Sequence, residues 1–342
     1  MTENDEIYWM TESLKSFLKS SPKIAKLDRS VRIEVAKTLL QILEKINVID
    51  GHDQGFLFKE AEKMNIHILR PDYYSALPLL QELYDKPWTN SELVGIDLNV
   101  ESQLELLSLF TLRFKNEYEK FLKDPPSSHV DYYLSNGLFE SVDAEILYCM
   151  IRFFKPRKII EVGAGFTTLL SAKAVLQNEI EDPDYTCRLI AIEPYPRDFL
   201  QKGVKGLSEL IQKKIQDVPV SFFEHLSEND ILFIDSSHVL KVGSDVQYEY
   251  LEILPRLKKG VIVHSHDIFL PAEYPKIWVI ENKRFWSEQY LLQAFLMFNE
   301  TFKVLWAGSY MHLHYPDRLE IAFPSYDRTK RWPGSFWMQK EK

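Results

Sequence analysis

With 342 residues, 45% of them hydrophobic and 27% charged, the chain has material for one large or two medium globular domains, and its composition excludes general disorder. Its 50 acidic residues outnumber 41 basic ones for a formal charge of -9, which argues against a nucleic acid or other polyanion as partner. The two cysteines, Cys149 and Cys187, stand far apart outside any ligand-spacing motif, so neither a disulfide framework nor a structural zinc is expected, and a reducing, cytoplasmic compartment is.

The N-terminal stretch MTENDEIYWM lacks a basic segment followed by an apolar one, and no apolar window reaches the ~18 residues of a spanning helix, so neither a leader nor a membrane span is expected. From Ser30 to Ile49 the residues Val31, Val35, Leu39, Ile42, Leu43 and Ile46 recur at helical intervals and predict an amphipathic helix. A second such pattern runs from Leu104 to Phe121. Between them LRPDYYSALPLL (69–80), with two prolines, predicts irregular chain. Residues 1–129 therefore read as a mainly helical N-terminal extension, suited to pairing copies of the chain, with DPPSSH (124–129) as its boundary.

Beyond that boundary the pattern changes to short runs rich in Ile and Val. KIIEV (158–162), RLIAIE (188–193), DILFID (230–235) and GVIVHS (260–265) are apolar at nearly every position, as strands covered on both faces are. Helices are expected between them over Thr167–Leu176, Arg197–Leu210 and Asp245–Leu254. This alternation predicts a doubly wound α/β domain over 130–342.

In such sheets ligands sit beyond the carboxyl ends of the strands. The strand ends are Glu161-Val-Gly163-Ala-Gly165, Glu193-Pro-Tyr-Pro, Asp235-Ser-Ser-His238 and His264-Ser-His266-Asp267. Gly163 and Gly165 suit a tight turn that lets a ligand approach the backbone, although a plain turn would use them equally well. A dinucleotide fingerprint would place a third glycine where Thr168 stands, which disfavours NAD or FAD. Glu193 can accept both hydroxyls of a ribose, or can simply be a solvated carboxylate. NEIEDPDYTC (178–187) reads as a surface insertion.

Taken in order, EVGAG, IEPYP, QDV (216–218), FIDSSH and GVIVHSHDIF, followed by YPKIWVIENKRFWSEQYLLQAFL (274–296), resemble the motifs of class I S-adenosylmethionine-dependent methyltransferases, in a bacterial branch carrying IDSSH and HDI elements. The resemblance spans about residues 130–340. It implies a Rossmann-like, mostly parallel sheet ending in an antiparallel edge hairpin, here FKVLWAG (302–308) and SFWMQ (335–339). It also implies S-adenosylmethionine as cofactor and a small-molecule or glycan acceptor. By the same resemblance Glu161, Gly163 and Gly165 would line the methionine moiety, Glu193 would bind the ribose, Asp217 would lie near the adenine, and Asp235 would sit close to the sulfonium.

Methyl transfer to an alcohol requires alignment of the acceptor and removal of its proton, for which a histidine is the natural base. His238 and His266 are the candidates, with Asp267 able to orient either ring. Related sugar and catechol enzymes hold a divalent metal after the same two strands, and Asp235, His266 and Asp267 could do so here. The His-Asp pair replaces the usual oxygen ligands, which argues against Mg²⁺. His264 is expected to end its strand, buried or bonded locally. Asp245 reads as a first-turn helix carboxylate, and His312 and His314 as alternating strand residues. Trp278, Phe285, Trp286 and Tyr290 read as helix packing or as a platform for an acceptor ring. Two rival readings remain open: a scaffold that keeps the fold without catalysis, and a metal-dependent enzyme using His264, His266 and Asp267.

Overall fold

The computed structural model describes residues 28–45, 54–68, 73–86, 88–127 and 130–342. The N-terminal stretch, Ile46 to Ile49, the first four residues of LRPDYYSALPLL, and Ser128 and His129 lie outside the described residues. The chain divides into two compact units, Met1–Glu82 and Leu83–Lys342. In the first, the expected amphipathic pattern forms the helix Arg29–Lys45, with Val35, Ile42 and Leu43 half-buried and Val31 and Leu39 exposed. The helix Gln54–Glu62 follows. Among the described residues no helix is long and apolar enough to cross a membrane.

The second unit is built on seven strands: β1 (Lys158–Val162), β2 (Arg188–Ile192), β3 (Leu207–Ile211), β4 (Ile231–Ile234), β5 (Ile262–Ser265), β6 (Phe302–Ala307) and β7 (Phe336–Lys340). Their order is β3-β2-β1-β4-β5-β7-β6. The first five run parallel, while β7 pairs antiparallel with both β5 and β6. This is the Rossmann-like sheet with an antiparallel edge hairpin. The central strands are apolar throughout because each face meets its own core. Ile159, Leu189, Ile231 and Phe233 join one cluster, and their neighbours Ile160, Ile192, Leu232 and Ile234 join the other, following the two-residue alternation of a strand.

Three expectations need correction. First, the second amphipathic helix runs over Val100–Tyr118 rather than Leu104 to Phe121, within the unit Leu83–Lys342. The helix Val100–Tyr118 sends Leu107, Phe110, Phe114 and Tyr118 into the core beneath the sheet. Glu117 on it pairs with the buried Arg152 guanidinium at 2.8 Å, and Gln103 accepts the Ala307 N–H at 2.8 Å. Secondly, Arg197–Leu210 is not one helix. A single turn, Asp198–Gln201, stops at Gly203 and Gly206, both at positive φ (+91° and +94°), and the chain re-enters the sheet as β3. That edge strand, LSELI, exposes Ser208 and Glu209 and so carries no continuous apolar run. Thirdly, NEIEDPDYTC is only partly a surface insertion. The helix Phe166–Glu181 extends into it, Asn178 donates to the Ile151 carbonyl at 2.9 Å, and Tyr185 and Cys187 are buried.

On the helix Asp143–Phe154, Glu145 is 1% exposed, with one carboxylate oxygen bonded to Ser325 and the other without a partner. Burial, only partly offset by Ser325 and Ser141, raises its pKa from the ordinary 4.5 to about 7. A raised carboxyl pKa means that stability is fully present below about 4.5 and is lost as pH rises to about 7. Glu145→Gln removes this dependence. In thermal or urea unfolding across that window, the variant should gain on the wild type by about 3 kcal/mol.

Candidate active site

The strand order reverses between β1 and β4, so the crevice at their carboxyl ends is where this topology places a ligand. Gly163 turns there with φ +79°, and a Cβ on it would lie 1.9 Å from the Asp235 carbonyl oxygen. Only glycine permits this contact. Gly165 has an extended φ of -172°, and its N–H donates to the Thr168 hydroxyl at 3.1 Å. Thr168, in place of a third glycine, therefore caps the turn from inside.

A cleft of about 510 Å³ opens at these strand ends, lined among others by Gly163, Glu193, Gln216 and Asp235. The Glu193 carboxylate accepts the Tyr195 N–H at 2.8 Å and the Ala164 N–H at 3.2 Å, one on each oxygen. Each oxygen keeps a further lone pair for a ligand. Three expected lining residues, Glu161, Gly165 and Asp217, are not among those that line the cleft. Glu161 is buried beneath the turn and accepts the Thr167 hydroxyl, with its second oxygen unpartnered. Burial raises its pKa to about 8, against the lowering effect of Thr167 and Thr168. Asp217 is exposed at the end of the 3-10 turn Ile215–Asp217, and Gln216 takes its place on the wall. Asp245 begins a helix, as expected, and also holds the Ser237 N–H and hydroxyl at 2.9 and 2.6 Å.

Beside the cleft, the ends of β4 and β5 bring Asp235, His238, His266 and Asp267 together. His238 Nε2 lies 3.4 Å from Asp235 Oδ1 and 3.5 Å from Asp267 Oδ2. His266 Nδ1 lies 3.4 Å from the same Asp235 oxygen and 3.7 Å from the same Asp267 oxygen. Both rings are 5% exposed. Burial pushes their pKa values down, but the surrounding carboxylates outweigh it: Asp235 and Glu288 for His238, Asp267 and Asp235 for His266. Both are held well above the ordinary histidine value. Burial likewise pushes Asp235 up, yet the two histidines hold it well below the usual carboxylate range. Asp267 is raised, because burial outweighs the same histidines.

His264 belongs to the core. It lies one residue before the end of β5, stacks on Phe233 with ring centres 3.9 Å apart, and bonds Ser335 Oγ at 3.0 Å. Burial and the neighbouring His266 push its pKa well down. His312 and His314 are not on a strand: the helix Gly308–His314 carries them, and His312 bonds the Tyr326 hydroxyl at 2.7 Å. Trp278, Phe285 and Trp286 pack around Phe269 and Tyr274, and Trp286 also meets the His238 ring at 4.4 Å.

Glu288 and Asp143 were not expected at the site. Glu288 is wholly buried, bonds His238 Nδ1 at 2.8 Å and accepts the Tyr250 hydroxyl at 2.9 Å. Asp143 faces His266 Nε2 at 3.7 Å while accepting the N–H groups of Gly334 and Ser335, each at 2.9 Å. Both acids open helices, where a first-turn carboxylate ordinarily needs no other explanation.

Residues 160–268 match the family model described as a methyltransferase domain. An uncharacterized protein of Archaeoglobus fulgidus is 33% identical to this chain, over 46% of it and 73% of the relative. Among solved structures, the O-methyltransferase from Bacillus cereus in complex with S-adenosylhomocysteine shares 14% identity, over 70% of this chain and 91% of that one, with a TM-score of 0.35. A putative methyltransferase from Thermobifida fusca shares 15%, over 58% and 82%, with a TM-score of 0.36. With this domain match on a sheet of this order, the chain belongs to the class I S-adenosylmethionine-dependent methyltransferases.

The contact at Gly163 can be tested alone. Gly163→Ala forces a Cβ against the Asp235 carbonyl at positive φ, and chemical denaturation should show a loss of about 2–4 kcal/mol. Gly165→Ala, with open space around the added atom, should cost less than about 1 kcal/mol.

Proposed function

We propose that the chain transfers a methyl group from S-adenosylmethionine to an oxygen, or a nitrogen, of a small molecule or glycan. The observation that carries this reading is the continuity of the site. Asp235 lines the cleft that Gly163 and Glu193 form, and the same side chain faces His238 and His266. A cofactor in the cleft and an acceptor at the cluster would therefore meet at one residue.

The cleft fits the cofactor's polar parts. The free lone pairs of Glu193 suit ribose hydroxyls, and the bare Cα of Gly163 leaves the backbone open to close approach. When bound, the cofactor supplies a methyl carbon activated on a sulfonium. The chain's part is to align the acceptor for in-line displacement and to manage its proton. His238 and His266 both adjoin Asp235, with Asp267 within 3.7 Å of each ring, which supports reading one of them as the base that takes the acceptor's proton.

Calorimetry with S-adenosylhomocysteine tests the cofactor half of this reading. Binding to the wild type is expected, and Glu193→Ala should weaken it by about 10- to 100-fold, the loss of one or two hydrogen bonds to a charged group. No heat of binding at roughly millimolar ligand would remove the methyl-transfer reading.

A further inference from the structure

We propose that a pocket floored by Glu145 is a second small-molecule site, and that it takes a zwitterion: a primary ammonium for Glu145 and, across an apolar spacer, a carboxylate for Lys123. This site stands apart from methyl transfer, because the pocket shares no lining residue with the cleft of Gly163, Glu193 and Asp235.

The pocket has a volume of about 490 Å³, a size that suits a small metabolite, and lies within the second unit. Tyr118 and Lys123 come from the end of the helix Val100–Tyr118 and the chain after it, Ser141 and Glu145 from the start of the helix Asp143–Phe154, and Ser325 from the segment before β7.

Glu145 is 1% exposed, and the two hydroxyls grouped at its carboxyl line the same pocket, so the carboxyl belongs to the floor. Ser325 gives its one hydroxyl hydrogen to Glu145 Oε1, and Ser141 therefore donates to Ser325, at 2.8 Å. The chain of donors ends there. Glu145 Oε2 has no partner and Ser141 Oγ keeps its lone pairs, so what the floor lacks is a donor. Leaving a buried carboxylate oxygen unpaired is costly, and the Tyr118 hydroxyl does not relieve it, because it donates to the Ala322 carbonyl at 3.0 Å. An ammonium brings three hydrogens and a positive charge, where a hydroxyl would bring one hydrogen and no charge.

The rim sets the other end of the ligand. Arg331 is held by Glu140, and Glu119 lies 3.8 Å from Lys115, whereas Lys123 is exposed and forms no ion pair among the described residues. An anion is its complement. Tyr118, Phe121 and Leu134 supply apolar wall, which suits the methylenes of a spacer. Pairing with an ammonium also offsets the burden that the Glu145 carboxyl places on the fold, so the ligand should raise thermal stability as well as release heat on binding.

The test is to titrate the full chain by calorimetry with glycine, β-alanine, γ-aminobutyrate and ε-aminocaproate, which differ in spacer length, and with butylamine and butyrate, which each lack one charge. At least one of the amino acids should bind at about one per chain with a Kd below roughly 1 mM. Butyrate as ligand, or Glu145→Gln as protein, removes the inner ion pair and should cost about 10- to 100-fold in affinity. Butylamine, or Lys123→Ala, removes the exposed outer pair and should cost about 2- to 5-fold, and saturating S-adenosylhomocysteine should leave amino-acid binding unchanged. Binding by none of the amino acids at roughly 10 mM, binding that butyrate or butylamine matches, or binding indifferent to Glu145→Gln overturns the proposal. Displacement by S-adenosylhomocysteine overturns it too, since that would put the amino acid in the cleft of Gly163 and Glu193. Should Glu145→Gln fail to fold, Lys123→Ala and the two singly charged ligands decide.

Discussion

The approach of the Gly163 backbone to the Asp235 carbonyl is the constraint on which the site depends. β1 and β4 are neighbours in the sheet, joined by the ladder from Ile159–Ile231 to Val162–Ile234, and the Asp235 N–H continues it by bonding the Val162 carbonyl at 2.9 Å. A side chain at Gly163 would push the two strand ends apart. Without one, the turn that shapes the cleft and the residue that begins the polar cluster occupy adjacent positions. The cleft and the cluster are thus two sides of one contact.

The cluster would be costly in isolation. Asp235, Asp267, Glu288 and Asp143 surround two buried histidines, and desolvation of ionised groups is repaid only when they are paired and hydrogen-bonded. The structure meets this need with a ring of supports: the Tyr250 hydroxyl on Glu288, the backbone of Gly334 and Ser335 on Asp143, and the Trp286 and Phe139 rings against the two imidazoles. Glu249 adds to the load. It is buried beside Glu288 with one unpartnered oxygen, and burial together with Glu288 pushes its pKa well up. It begins a π-helical turn, Glu249–Ile253, a local irregularity that often accompanies a functional site.

Much of the sheet was legible because its central strands are buried on both faces, and such strands must be apolar at every position. The edge strand β3 was not, since LSELI buries only part of its surface and carries no continuous apolar run. His312 and His314 misled for a related reason: alternation over three residues fits a strand, but Gly308–His314 is a helix held by contacts from Tyr326 and Trp332. Asp235, His238, His266 and Asp267 were recognisable because polar groups end otherwise apolar strands. Glu288 and Asp143 stand 50 and 123 residues from the histidines they face, and each looks like an ordinary helix-opening acid.

The sequence by itself determined the alternation of strand and helix, the polar strand ends and the glycine turn, because periodicity and backbone freedom are local properties. The tertiary structure decided which of these residues face one another. It sent His264 into the core beside Phe233 and turned His266 toward Asp235 and Asp143. It also replaced Asp217 by Gln216 on the cleft wall. The physical reason is that a side chain's partner depends on strand order and on where each strand ends, and neither is written in the spacing of residues along one segment. VIVHSHDIF marks the limit: its two histidines share a face of the strand, yet one packs and the other joins the site, because β5 ends at Ser265 between them.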